Sequence, residues 1–285
     1  MGGAAAFWGA TIVGARIGRF AKDGRVNPIP GHSTVLISLG YFLLFFGFFA
    51  FNGGSETGIA GEAFIPDRVG RAVIATALSC AGAFISTLMW YRIGFAMVDR
   101  KIFGKKIKLP TVLGGFWSIS GAVNGGLGGM VAICASCFGV EPWAAFVIGN
   151  IAGVTYVMWS NFILLLRVDD PVNATAVHLA CGWWGTLAAG LFINADRIPE
   201  LPNGGVLYAW DSDSFIHFGI QAIGCATIIA WSSLMSIVIF GTLRVTGNLR
   251  VAKEHEGEGL DYHNGEPAYP LDPAILGMDI ELENL

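Results

Sequence analysis

Asp169-Asp170-Pro171-Val172-Asn173-Ala174-Thr175-Ala176-Val177-His178-Leu179-Ala180-Cys181-Gly182-Trp183-Trp184-Gly185 opens with two acids and a proline, then carries no formal charge through residue 193. An uncharged run of that length matches a bilayer-spanning helix, which needs about 20 apolar residues. Pro171 suits a first helical turn, where its missing N–H would have had no partner. His178 then lies roughly 12 Å along the axis at 1.5 Å per residue, close to the middle of the hydrocarbon.

An imidazole is costly in lipid, so this one is expected to face protein or a wet cavity. Helical spacing places Ala174, Thr175, Cys181, Gly182 and Gly185 on its face, all of them small. Two readings stay open from these residues. One is a histidine bonded to a neighbouring helix's carbonyl, the other a histidine lining a path.

The surrounding chain is of the same kind. Its 285 residues are 54% hydrophobic and only 13% charged, where a soluble domain carries roughly a quarter charged residues. The 40 glycines suit membrane helices that approach each other closely. All five cysteines, Cys80, Cys134, Cys137, Cys181 and Cys225, fall in apolar runs. Cys134 and Cys137 form a C-x-x-C without a second ligand pair, which reads as two core thiols rather than a zinc or redox site. No metal and no cofactor are expected. A net charge of −4 argues against a nucleic-acid partner. The class is an all-α polytopic membrane protein.

In order, the apolar runs cover residues 1–15, 34–51, 72–98, 112–138, 143–166, the His178 helix to about 192, and 215–243. The first is too short to span and reads as a truncated N-terminal helix, with an interfacial anchor as the other reading. The rest give six full transmembrane helices. Residues 1–243 thus form a transmembrane domain and 244–285 a polar, acidic C-terminal tail. Of the 17 lysines and arginines, only Arg68, Arg71 and Arg197 fall on one side when the loops are numbered alternately. The other side, which includes the tail, is therefore expected to be cytoplasmic. The glycosylation-like Asn173-Ala174-Thr175 lies on that side and should be unmodified.

Three further patterns stand out. Leu44, Phe48, Phe51 and Ser55 share one helical face, as a packing stripe or a gate. Gly121, Gly125 and Gly129 form a small-xxx-small strip for helix packing. Glu254, Glu256, Glu258, Asp261 and Glu266 make an acidic run, by default solvated and flexible. No second ionisable residue stands near His178 in the apolar runs before His217, so an intramembrane enzyme is not expected.

The order of these features resembles the ammonium transporter (Amt/Mep) family. The resemblance rests on three segments: Phe51-Asn52-Gly53-Gly54-Ser55 after an aromatic-rich helix, Asp169-Asp170…His178…Cys181-Gly182-Trp183-Trp184-Gly185, and the tail Leu249-Arg250-Val251…Glu256…Glu258-Gly259-Leu260-Asp261…Gly265-Glu266…Ala268-Tyr269. Each alone is weak. Their order and the topology together are specific, and they cover the chain to about Tyr269.

The resemblance implies a trimer with a pore in each subunit and an eleven-helix inverted-repeat fold, of which this chain would hold the end of helix five through helix eleven. It implies that Ser55 belongs to the outer ammonium recruitment site, that Phe51 is the second of two stacked gate phenylalanines, with Phe48 beside it on the substrate pathway, and that His178 is the second of two pore histidines. The first gate phenylalanine, the recruitment-site tryptophan and the first histidine have no counterpart among these residues. Ammonium would be recruited outside and deprotonated, and ammonia conducted while the histidines handle the proton. Gly259, Asp261, Gly265 and Glu266 would form a regulatory tail. Two departures are Asn173, where many members have an acid, and Leu179, where glycine usually follows the histidine. Partners would be ammonium or ammonia, the lipid bilayer, and copies of itself or full-length transporters, in the plasma membrane with a cytoplasmic C-terminus. The alternative is a truncated, non-conducting or sensor-like subunit that regulates full-length transporters.

Overall fold

In the computed structural model of the chain, the described residues are 1–31, 33–55, 66–102, 105–112, 115–198 and 204–260. The expected helices form, with shifted ends. They are α1 (Gly2–Val13), α2 (Thr34–Gly54), α3 (Pro66–Ile93), α4 (Ile119–Ile133), α5 (Pro142–Leu165), α6 (Cys181–Phe192), the short α7 (Val206–Ala209), α8 (Ser212–Val245) and α9 (Lys253–Glu258). A π-helix, Thr175–Ala180, leads directly into α6, and a 3-10 turn, Ala195–Arg197, follows it. By length and composition α2, α3, α5 and α8 are each able to cross a membrane, while α1 and α4 are shorter apolar helices. The protein is an all-α polytopic membrane bundle.

Local chemistry sets the ends. Ser33 and Ser118 accept the N–H groups of Leu36 and Gly121 and so cap α2 and α4. Pro142 opens α5, and Asp211 with Ser214 forms a reciprocal capping box on α8. The run expected to 98 stops at Ile93 instead. Gly94 there has φ +70°, a left-handed backbone that ends a helix at glycine. The basic stretch beyond it is an antiparallel hairpin, β1 (Phe95–Ile102) with β2 (Lys105–Val112).

The centre is α3 packed along α5 and α4, with α6 and the π-helix against α4 and α5. The glycine strip on α4 is used as expected, because each member meets α3. A Cβ on Gly121 would lie 2.4 Å from the Tyr91 ring, on Gly125 2.1 Å from Thr87 Oγ1, and on Gly129 2.5 Å from the Ser79 carbonyl. On α5, a Cβ at Gly149 would come within 2.0 Å of the same Ser79 carbonyl. At Gly129 and Gly149 the obstacle is backbone, and contact at this range excludes any side chain larger than hydrogen. Outside this centre, α2 lies against α3 and α4, and α1 lies along α8 with its first residues on the π-helix.

Two polar clusters close opposite ends of the bundle. At one end Arg197 Nε donates to Glu141 Oε1 at 2.8 Å, Asn194 Nδ2 donates to the same oxygen at 3.1 Å, and Arg71 Nη1 reaches the Arg197 carbonyl at 3.2 Å. The Arg197 hydrogen bonds hold the Glu141 carboxyl below its ordinary value despite opposing burial. At the other end the almost fully buried Asp169 accepts Arg16 Nε at 2.7 Å, Arg16 Nη2 at 2.9 Å and the Arg16 backbone N–H at 3.0 Å. Arg19 adds its charge at 3.3 Å. Burial by itself would push the Asp169 carboxyl up, but the Arg16 hydrogen bonds and the two arginine charges outweigh it and hold it down.

Candidate functional site

The helix carrying His178 begins later than its sequence suggests. Pro171 stands in a turn and Asn173 has φ +55°. The start is organised by Asp170 instead, whose carboxylate accepts Ala174 N–H at 3.0 Å, Thr175 N–H at 2.7 Å and the Thr175 hydroxyl at 2.7 Å. One acid thus satisfies two orphan donors of the first turn and fixes a polar side chain beside them.

The first segment is also not an α-helix. The Cys181 N–H reaches back five residues to the Ala176 carbonyl, closing a wide π turn. The extra residue rotates the face expected around His178. Thr175 and Cys181 are buried, with Cys181 Sγ 3.5 Å from the Ala152 carbonyl on α5. Gly182 and Gly185 stay with His178, and Leu179, Trp183 and Thr186 join them. Small residues do surround the histidine, but not the set that ideal α-periodicity selects.

His178, itself exposed, lines an open-sided cavity of about 320 Å³. Its walls are Met1, Gly2 and Gly3 of α1, Val131 of α4, Cys134 and Ala135 just beyond it, and Cys225, Ile228 and Ile229 of α8. Gly3 makes this closure possible, since a Cβ there would lie 2.1 Å from the Leu179 backbone nitrogen. The α6 wall is held by Trp184, whose Nε1 donates to the Ile148 carbonyl at 3.0 Å. Among the described residues no group of three or more His, Cys, Asp and Glu could hold a metal ion. The five cysteines are free thiols.

Phe48, Phe51 and Ser55 lie together at the far end of α2. The Phe48 and Phe51 rings meet edge to face at 5.9 Å, and the Ser55 hydroxyl donates to the Phe51 carbonyl at 2.8 Å. None of the three lines the His178 cavity. Their link to it runs through buried Asn52, whose carbonyl is 3.9 Å from Cys137 Sγ just past α4, near the cavity residue Cys134. The structure therefore brings the aromatic pair and Ser55 together and sets His178 apart from them.

In the tail, Gly259 follows α9 with φ +94°, and its N–H reaches the His255 carbonyl at 3.1 Å. Asp261, Gly265 and Glu266 lie outside the described residues. Glu256 departs from the expectation of a solvated acid. It accepts Arg250 Nη2 at 2.8 Å and the Ile17 N–H at 2.9 Å, while Arg250 Nη2 also donates to the Ala15 carbonyl at 2.8 Å. The described start of the tail is thus latched to the end of α1 in its own chain. Sequence reasoning missed this latch, the Arg16–Asp169 clamp and the Asp170 cap. Only the cap had a local signal, an acid just ahead of an apolar run.

Residues 1–269 match the model of the Ammonium Transporter Family. A relative from Oryza sativa subsp. japonica, ammonium transporter 1 member 3, is 35% identical over 274 residues, covering 92% of this chain and 50% of that protein. The Solanum lycopersicum ammonium transporter 1 member 1 is 33% identical over 296 residues, covering 98% of this chain and 56% of the relative. A solved structure named Sensor Amt Protein superposes with a TM-score of 0.75 at 31% identity, over 92% of this chain and 57% of the other. Saccharomyces cerevisiae Mep2 superposes at 0.66 and 24% identity, over 88% and 52%, a likeness in fold. The chain spans about half the length of the curated relatives it matches. With the helical bundle and a family match over residues 1–269 in agreement, this chain belongs to the Ammonium Transporter Family.

Proposed function

We propose that this chain supplies the His178-bearing wall of a path for ammonium across the plasma membrane, with its basic end and tail in the cytoplasm. The observation that carries the reading is His178 in a cavity of about 320 Å³ among glycines and apolar side chains. A bare cation is costly at mid-membrane, so ammonium gives up its proton before the apolar stretch and crosses as ammonia. The imidazole, which ordinarily titrates near neutral pH, takes or returns that proton. Phe48, Phe51 and Ser55 would serve the outer end, where aromatic faces attract a cation and a hydroxyl accepts its N–H.

A path needs both of its walls, so uptake is expected only when a second wall is supplied to this chain; the assembly would be a homotrimer or a hetero-oligomer with full-length subunits. In liposomes the chain alone should leave methylammonium uptake at background. Joined to the first half of a full-length relative, it should support uptake, and His178→Ala should then change rate or ion selectivity at equal expression. An unaltered His178→Ala protein would overturn the pore role.

A second reading is a non-conducting, sensor-like subunit, favoured by the likeness to the structure named Sensor Amt Protein. It requires no uptake in either arrangement, and altered uptake by a co-expressed full-length relative. The tail enters both readings. At φ +94° Gly259 occupies backbone space that a side chain strains, so Gly259→Asp should release the α9 latch and abolish activity without loss of membrane insertion. Wild-type uptake in that variant would make the tail a mere appendage.

A further inference from the structure

Helix α2 has a mean hydropathy of 2.2 over its apolar stretch, yet its buried residues are Asn52 and its neighbour Gly53. Lipid meets one apolar face of such a helix as readily as another, so lipid does not fix how the helix is turned about its axis. That turning matters at this end, because Phe51 and Ser55 flank the buried pair. At about 100° per residue, Phe51 and Ser55 project within roughly 40° of each other, and Asn52 about 100° round from Phe51.

Asn52 is held by polar contact. Its Nδ2 donates to Thr76 Oγ1 on α3 at 2.9 Å, and the Thr76 hydroxyl donates in turn to the Ala72 carbonyl at 2.6 Å. A hydroxyl has one hydrogen, and here Ala72 takes it, so the Thr76 oxygen can only accept. The Asn52 amide must therefore present its nitrogen. Its Oδ1 then has no partner among the described residues, although Asn52 is 1% and Thr76 0% exposed. An amide buried with one end unpaired is costly, so apolar packing does not account for an asparagine here. Beside it, a Cβ on Gly53 would lie 3.3 Å from Val69 Cγ1, which sets this turn of α2 close against α3. A second polar contact, Tyr41 Oη with Cys80 Sγ at 2.9 Å, joins the same two helices about three turns back along α2.

We propose that Asn52 is a positioning residue for the outer end of the path. Its bond to Thr76 sets the rotation of the last turn of α2 and so aims Phe51 and Ser55. The inference rests on the reading of those two residues under the proposed function. Position is tested in the purified full chain in detergent, with a nitroxide on Ser55→Cys and the signal of the chain lacking that substitution subtracted. Asn52→Ala should make the label more mobile in its electron paramagnetic resonance spectrum. Thr76→Val should do the same, and being close in size to threonine it carries the test should Asn52→Ala fail to fold. Thr76→Ser keeps the hydroxyl and should leave the label as it was. Tyr41→Phe breaks the other polar contact and should also leave it unmoved.

Uptake is tested in the joined protein described above. Asn52→Ala should raise the half-saturating methylammonium concentration about threefold, the size of one hydrogen bond between membrane helices, with the maximal rate kept. Asn52→Ala combined with Thr76→Val should do no more than either alone. A label unmoved by Asn52→Ala and Thr76→Val, or moved equally by Tyr41→Phe, would overturn the proposal. A lower maximal rate at unchanged half-saturation would do so too, because it marks lost folded protein. A mobile label with unaltered uptake would sink the positioning role and leave the path standing. No uptake by the joined protein with Asn52 intact would sink the path itself, and the role of Asn52 with it.

Discussion

Helices α3 and α5 and helices α2 and α8 are all long and apolar, yet they are buried very differently. Of their apolar stretches, 44% of α3 and 39% of α5 lie buried inside the protein, against 6% of α2 and 11% of α8. Mean hydropathy runs the other way for the extremes, 2.2 for α2 and 1.4 for α5. In water the buried helix would be the more apolar. Among membrane helices the hydrophobic effect does not separate inside from outside, and small residues that permit backbone contact mark the interior. Gly149 and Gly153 on α5 meet the Ser79 and Ala83 carbonyls, whereas nothing lies within 4 Å of a Cβ at Gly40 or Gly47 on α2.

The sharpest break of this contrast is a bulky residue at each kind of glycine. Gly149→Leu would drive a side chain into the Ser79 carbonyl. It should cost more than the about 1–3 kcal/mol of ordinary overpacking, seen as loss of the folded protein in thermal unfolding in detergent.

A middle-sized effect is expected where the outer elements are clamped by polar groups rather than by close packing. Asp169 joins the end of α1 to the segment before the π-helix through Arg16. Removing it as Asp169→Ala should cost about 1–2 kcal/mol, the range for hydrogen bonds to a charged group, lowered because the arginine is a third exposed. The clamp is also pH-dependent. A carboxyl held below its ordinary value stabilises the fold above about pH 4 and loses that contribution as pH falls through its folded value. Unfolding followed from neutral to strongly acid pH should show a loss that Asp169→Asn lacks.

The smallest effect belongs to the open side of the comparison. Gly47→Leu should leave the melting temperature unchanged or slightly higher, because α2 gains helix propensity and meets no atom. A collapse in that variant would mean that α2 is buried by something other than lipid.

Much of the candidate site could be read from residue types. An uncharged run beginning after Asp169 and Asp170 marked a membrane helix, and one imidazole within it marked the place worth asking about. The strip Gly121, Gly125 and Gly129 announced a helix contact through its four-residue spacing. What could not be read was the π turn, since nothing local in Thr175–Ala180 separates it from an α-helix. That turn moves Thr175 and Cys181 off the His178 face and brings Leu179, Trp183 and Thr186 beside it. The walls supplied by Met1, Gly2, Gly3 and Cys225 were equally invisible, because they depend on contacts between segments far apart in the chain.

Sequence alone determined the class, the order of helices, the end of the bundle that gathers positive charge, and the residue around which a path could form. These follow from transfer energies and spacing, which act residue by residue. Tertiary structure alone decided that Arg16 ties the end of α1 to Asp169, that Arg250 and Glu256 hold the same end, and that Phe51 and Ser55 stand apart from His178. Each of these is a match between groups distant in the chain. A pairing of that kind has no energy until packing has brought both partners to one place, so no local pattern can carry it.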